Sequence, residues 1–250
     1  MDGKTSRDRR REQVERAADG YYFSAQQQGI DNRCRERLIR RCMPFVPPGA
    51  EVLELGFIDG QWTDQFLARD CRVQVVEGAE RNVAYGMEKY RGDARVRFVA
   101  ALFEDYDTDV RHDVVHMGGV LKHLAEPRAF LVRAARWVKP GGILIATTPN
   151  ARSVHRRLGV SMGLLDDIHG LSDTDRAVAN LRHYDRDGFR ALLEGAGYHV
   201  VALGAAMVKF LSSQQMTDYS DALLDALDRL ADDMPDMGWY LYAICRPADG

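Results

Sequence analysis

The sequence predicts a doubly wound α/β domain built on a mostly parallel sheet. Three features carry that expectation: short apolar runs alternate with amphipathic helical stretches, the first run leads into a glycine-bearing turn, and the second ends on an acidic residue. At 250 residues and 46% hydrophobic content, the chain has enough apolar material for a sizeable core. Most of the apolar runs are continuous rather than alternating, as expected of strands covered on both faces.

Residues 1–48 are expected to form a helical N-terminal segment, and residues 49–250 the main domain. Up to residue 41 the chain carries 11 Lys and Arg against 7 Asp and Glu, with too few apolar positions for a core of its own, which predicts one or two polar-faced helices. Tyr21, Tyr22 and Phe23 form an aromatic cluster that either closes over a pocket or pins the segment to the body. Pro44, Pro47, Pro48 and Gly49 then mark a turn before an extended run. Residues 52–55, 73–76, 96–99, 114–117 and 143–147 read as strands. The intervening 62–69, 82–90 and 129–138 have the length and spacing of amphipathic helices, implying right-handed parallel crossovers. Residues 150–184, rich in Arg, His, Asp and Gly, interrupt this rhythm as an insertion after the fifth strand, where substrate sites are often built. The pattern resumes with a helix at 186–195, a strand at 198–203, a helix at 218–231 and a strand at 239–245. Only 232–238 precede that last strand, too short for a helical crossover, so it is expected to run antiparallel.

Composition excludes several functions. Charged residues make up 28% but 34 basic against 37 acidic leave a net charge of −3, without the excess that a histone-like protein or an acidic chaperone needs. No basic stripe interleaved with aromatics appears, so a nucleic-acid partner is not expected. The apolar stretch 200–211 is interrupted by Lys209 and falls short of the roughly 20 residues that cross a bilayer. The arginine-rich N-terminus lacks the apolar core of a signal peptide, so no membrane association and a cytoplasmic location are expected. Cys34, Cys42, Cys71 and Cys245 lack metal-binding spacing, and buried thiols without disulfide or metal are expected.

The chemistry concentrates in residues 52–60, V-L-E-L-G-F-I-D-G, where an apolar strand runs into a turn and then a helix. Glycines there let backbone approach a ligand, and the helix start offers N–H donors. Glu77 ends the next strand 21 residues after Gly56, an interval suited to a carboxylate that accepts hydrogen bonds from ribose hydroxyls. Together they point to a nucleoside cofactor. A dinucleotide site requires G-x-G-x-x-G, which the turn lacks, and Glu54 would repel a pyrophosphate but suit an ammonium group.

On these residues the chain resembles the class I S-adenosylmethionine-dependent methyltransferases of small-molecule type, whose first motif reads V-L-E/D-L-G-x-G-x-G. Further segments match in order: residues 98–104 F-V-A-A-L-F-E, 113–124 D-V-V-H-M-G-G-V-L-K-H-L for the fourth strand and its V-L-E-H continuation, and 137–145 W-V-K-P-G-G-I-L-I for the L-K-P-G-G turn. The resemblance implies a seven-stranded Rossmann-like sheet and S-adenosylmethionine as cofactor. It places Glu54 near the methionine portion, Gly56 and Gly60 in the turn, and Glu77 with Gly78 at the ribose. Ala101, Leu102 and Phe103 fall against the adenine, and Met117 and Gly118 complete the cofactor set. Two positions depart from the pattern: Ile58 replaces the central glycine and Lys122 the common acid.

Methyl transfer from a sulfonium is an in-line displacement that rests largely on positioning, with a histidine or carboxylate taking a proton where the acceptor must lose one. Expected catalytic groups are His123, matching the histidine of V-L-E-H, His155 in a P-N-x-x-S context, and Tyr184. Beside these stand a contact with the N-terminal helix for His123, a plain surface position for His155 and a packing and capping role for Tyr184. Asn150, Arg182 and His183, with Tyr21 and Tyr22, are expected to face the acceptor. His116, inside an apolar strand, reads as a core residue, and His112, His169 and His199 show nothing to single them out. The acidic C-terminal segment, with eight acids against two arginines from Gln215 onward, complements the basic N-terminus within one chain or across a homodimer. The expected function is methyl transfer to oxygen or nitrogen of a small metabolite or sugar. An NAD-dependent oxidoreductase and a non-catalytic nucleoside-binding protein are the alternatives.

Overall fold

The computed structural model describes residues 5–20 and 25–248. Tyr21, Tyr22 and Phe23 lie outside the described residues. Helices α1 (Ser6–Gly20) and α2 (Ala25–Cys42) precede the sheet. The winding then proceeds through β1 (Glu51–Leu55), α3 (Gln61–Leu67), β2 (Arg72–Glu77), α4 (Glu80–Lys89), β3 (Val96–Ala100), β4 (His112–Gly118), α5 (Pro127–Ala134) and β5 (Val138–Pro149). The insertion holds two short helices, α6 (Val154–Ser161) and α7 (Asp173–Ala177), before α8 (Arg186–Gly195), β6 (Tyr198–Ala206), α9 (Asp221–Asp233) and β7 (Tyr240–Pro247).

The seven strands form one sheet in the order β3-β2-β1-β4-β5-β7-β6. β1 pairs in parallel with both β2 and β4, so the chain winds outward in two directions from β1 and leaves a crevice where the order reverses. β7 slots antiparallel between β5 and β6, as the short 232–238 connection requires. Along β1 the side chains alternate: Leu53 and Leu55 enter a core with Phe130, Leu131, Trp137 and Phe189, whereas Val52 enters one with Leu38, Ile39 and Phe66. Both faces are therefore covered. All four cysteines are free and buried.

Two differences from the sequence expectation have local causes. β5 extends from Val138 to Pro149, well beyond 143–147, because its start pairs with His112 across a register shift in β4 and its end pairs with β7. The predicted helix at 129–138 stops at Ala134 and tightens into a 3-10 turn at Ala135–Trp137, which sinks Trp137 fully into the core.

Candidate functional site

A crevice with about 710 Å³ of empty space opens at the carboxyl ends of β1, β2 and β4. Gly56, Glu77, Gly78, Leu102, Phe103 and Gly118 line it, together with His123. Glu77 is 6% exposed, and its two carboxylate oxygens are oriented by backbone: Oε2 accepts from Phe57 N at 2.9 Å and Oε1 from Ala79 N at 2.7 Å. Burial raises its pKa, against the pull of those amides and of Asn82. One carboxylate thus ties the first turn to the second and still faces the crevice. The floor is a cradle that a side chain would fill, since a Cβ on Gly78 would lie 3.1 Å from Val14 Cγ1 and 3.3 Å from Leu102 Cδ2. An acid beside an apolar wall suits an adenosine.

The turn itself is strained at one point. Ile58, at the position of the missing glycine, has φ 55°, a left-handed conformation that is costly for a β-branched residue. A pyrophosphate would need close backbone approach there; the isoleucine side chain lines the crevice instead. Gly60 is required by packing, because a Cβ would meet Tyr90 Oη at 2.6 Å and the Phe57 ring at 2.9 Å.

A second cavity, with about 940 Å³ of empty space, adjoins the first. Gly56, Ile58, Gly118 and Gly119 belong to the walls of both. Its remaining wall comes from α2, the start of α3, the 3-10 turn Leu121–His123 after β4 and the chain entering β7, with Asp31, Arg35, Trp62, Lys122, Trp239 and Tyr240 among its residues. Arg35 is committed to Asp59 at 2.9 Å and to Gln61 at 2.8 Å. His116 also borders this cavity, wholly buried and 4.0 Å from the Trp62 ring, with neither ring nitrogen hydrogen-bonded. Burial lowers its pKa to about 3.

A methyltransferase-domain model matches residues 25–203, well over half of the chain. The chain belongs to that methyltransferase family. A ubiquinone biosynthesis O-methyltransferase of Nitrobacter winogradskyi is 26% identical over 147 residues, covering 56% of each chain. The chain spans about half the length of the curated relatives it matches. Among solved structures, an S-adenosylmethionine-dependent methyltransferase of Mesorhizobium loti superposes with a TM-score of 0.63 at 15% identity, covering 87% of this chain and 99% of that one. A 1,6-didemethyltoxoflavin-N1-methyltransferase of Burkholderia thailandensis, solved with S-adenosylhomocysteine, gives 0.55 at 19% identity over 92% and 82%. These likenesses establish the class I methyltransferase fold, with its seven-stranded sheet.

Within this member of the methyltransferase family the expected site residues separate into three groups. Gly56, Glu77, Gly78, Leu102, Phe103, Gly118 and His123 meet at the crevice. His123 is pinned through Nδ1, 3.1 Å from the Ala179 carbonyl, and burial takes its pKa down to about 3. Glu54, Gly60, Ala101 and Met117 are close in sequence but line neither cavity. Glu54 lies behind the turn, wholly buried, with Oε2 accepting from Thr63 Oγ1 at 2.7 Å and Oε1 unpartnered, and burial raises its pKa to about 8. Met117 points into the apolar core, and Ala101 borders a shallower groove beside Arg11.

The third group comes from the insertion, and the structure does not bring it to either cavity. Asn150 is fully buried and spends its amide on the Asp236 and Gly238 carbonyls, at 3.0 and 2.8 Å. Tyr184 packs on Phe189, and Arg182 reaches the Ala125 carbonyl. His183 Nε2 lies 3.0 Å from Asp175 Oδ1, and His155 is held by its backbone N–H to the Lys209 carbonyl. The reason is local: Asp175 gathers Ser172, Asn180, Arg156 and His183 around itself, so the insertion closes on its own polar hub. Those partners hold the Asp175 carboxyl well below the usual range, despite burial. Only Ala179 of the insertion reaches the crevice.

Sequence reasoning missed the roof. Arg10, Val14, Ala17 and Ala18 of α1 cover the crevice, and their i, i+4, i+7, i+8 spacing was the available signal for a helix face turned inward. Asp31, Trp62 and Lys122 carried no such periodic signal.

Proposed function

We propose that the protein transfers a methyl group from S-adenosylmethionine to an oxygen or nitrogen of a small molecule, in a cytoplasmic setting. The observation that carries the reading is Glu77, held by two backbone amides at the head of a crevice whose far wall is Leu102 and Phe103. In it Glu77 accepts the ribose hydroxyls, Leu102 and Phe103 flank the adenine, and the open face at Gly56 and Gly118 lets the methionine end approach the second cavity. The bound cofactor supplies a methyl group on a sulfonium, which an acceptor displaces in line. The roof of α1 and the apolar walls exclude water, which favours loss of charge at sulfur.

His123 is the one expected base that borders the crevice, and with Nδ1 committed to Ala179 its proposed role is to brace that wall. Accordingly His123→Ala should lower affinity for S-adenosylhomocysteine more than it lowers turnover. Calorimetry with S-adenosylhomocysteine and with NAD tests the whole reading. Binding of the first alone is expected; binding of NAD alone would replace the methyltransferase by an oxidoreductase.

A further inference from the structure

The second cavity has chemistry that cofactor binding leaves unused. Asp31 on α2 lines its wall, and Asp31 Oδ1 accepts a hydrogen bond from Ser213 Oγ. Ser213 Oγ in turn accepts one from Lys209 Nζ at 2.6 Å, and Lys209 is 5% exposed and 3.9 Å from Asp31 Oδ1. The same amine sits 5.1 Å from the centre of the Trp239 ring. A buried lysine therefore fixes one carboxylate oxygen through a hydroxyl, and no hydrogen bond among the described residues uses the other, Oδ2.

The surroundings narrow what that oxygen meets. Trp62, Trp239 and Tyr240 supply flat apolar walls, and the His116 ring, with neither nitrogen hydrogen-bonded, lies tilted against Trp62. Arg35 and Asp59 neutralise each other at 2.9 Å. What remains is Asp31 with its counter-charge Lys209, 3.9 Å away and bridged by Ser213, a pair neutral in sum, so neither a cationic amine nor an anion gains net charge attraction.

Resting on the methyl-transfer reading, we infer that this cavity takes an uncharged planar ring bearing a hydroxyl, with Asp31 as the residue that binds the hydroxyl and receives its proton. Ser213 and Lys209 are positioning residues. As the ring oxygen forms its bond to the methyl carbon, the carbon–sulfur bond breaks with its electron pair kept by sulfur, and the hydroxyl proton passes to Asp31 Oδ2.

Trp62 and Trp239 report directly on occupancy. The protein saturated with S-adenosylhomocysteine is titrated with catechol, 1,2-dimethoxybenzene and benzylamine while tryptophan fluorescence is followed. Catechol should bind about tenfold more tightly than the other two, the worth of a hydrogen bond to a charged acceptor. Asp31→Asn should erase that preference without changing S-adenosylhomocysteine affinity. It should also cut transfer of tritiated methyl to catechol by about 10². Ser213→Ala should lower kcat for catechol with little change in KM and Ser213→Thr should restore it, a pattern that loss of packing alone does not produce. Equal binding of the three compounds, or undiminished transfer in Asp31→Asn with normal S-adenosylhomocysteine binding, overturns the acceptor assignment. Failure of the unsubstituted protein to bind S-adenosylhomocysteine overturns the methyl-transfer reading, and the inference falls with it.

Discussion

Ile58 and Glu77 stand on adjacent turns of the same crevice and are constrained in opposite ways. Ile58 is held at φ 55° by the turn around it, a conformation that costs a non-glycine residue roughly 1–3 kcal/mol. Glycine relieves that strain but adds about 0.5–1 kcal/mol of unfolded-state entropy. The balance predicts that Ile58→Gly raises stability by about 1 kcal/mol, read as a midpoint shift in urea unfolding with unchanged slope. Glu77 has no strain but much responsibility, since it satisfies two backbone amides and faces the crevice. Glu77→Ala should weaken S-adenosylhomocysteine binding by about 1.5–3 kcal/mol in calorimetry, the worth of hydrogen bonds to a charged acceptor. An unchanged dissociation constant would reject the proposed ribose role of Glu77.

Helices α2 and α9 show what complementary charge accomplishes between elements. The basic and acidic segments meet within one chain: Arg37 lies 3.0 Å from Asp221 and 2.9 Å from Asp225, Arg40 is 2.7 Å from Asp225, and Arg41 reaches Asp228 at 2.9 Å and Asp232 at 2.6 Å. These pairs are not equivalent. Arg37 is 3% exposed, whereas the Arg40 side chain is 59% exposed and screened by solvent. Arg37→Ala should therefore cost about 2 kcal/mol. In a chain of this size that corresponds to a fall of roughly 4–8 °C in melting temperature. Arg40→Ala should stay within about 1 kcal/mol. Because α2 also carries Asp31 and Arg35 into the second cavity, the clasp that stabilises it also sets the shape of that wall. The insertion makes the contrasting case: its polar residues find one another around Asp175 before they find the crevice.

Across the whole molecule, two buried titratable groups on paired strands shape the pH response. Glu54 and His116 are register partners on β1 and β4, both wholly buried, and neither is fully hydrogen-bonded. Burial raises the Glu54 pKa from 4.5 to about 8, so the native state holds that proton more tightly than the unfolded chain. Stability present below pH 4.5 is then lost as pH rises toward 8. Burial lowers the His116 pKa from 6.5 to about 3, so stability also falls as pH drops through that interval. Urea unfolding across pH should show losses on the order of a few kcal/mol on each side, and Glu54→Gln should flatten the alkaline side alone. An unchanged alkaline slope in that variant would assign the loss to another group.

Much of this architecture was legible because it is written in local patterns. Continuous apolar runs at 73–76 and 114–117 marked strands buried on both faces, and the shortness of 232–238 forced β7 to run antiparallel. Gly56 and Glu77 lie at strand ends, so chain order alone placed both at the crevice. Residues whose position depends on distant partners were not legible in this way. His155 and Tyr184 looked available, yet backbone and packing contacts to Lys209 and Phe189 hold them elsewhere. Asp31, Ser213 and Lys209, separated by up to 182 positions, acquire their relation only when α2 packs beside the segment after β6. Periodicity specifies which face of an element is apolar; only the closing of the sheet and its helices decides which polar groups are left to meet in a cavity, because that depends on which of them have already been satisfied.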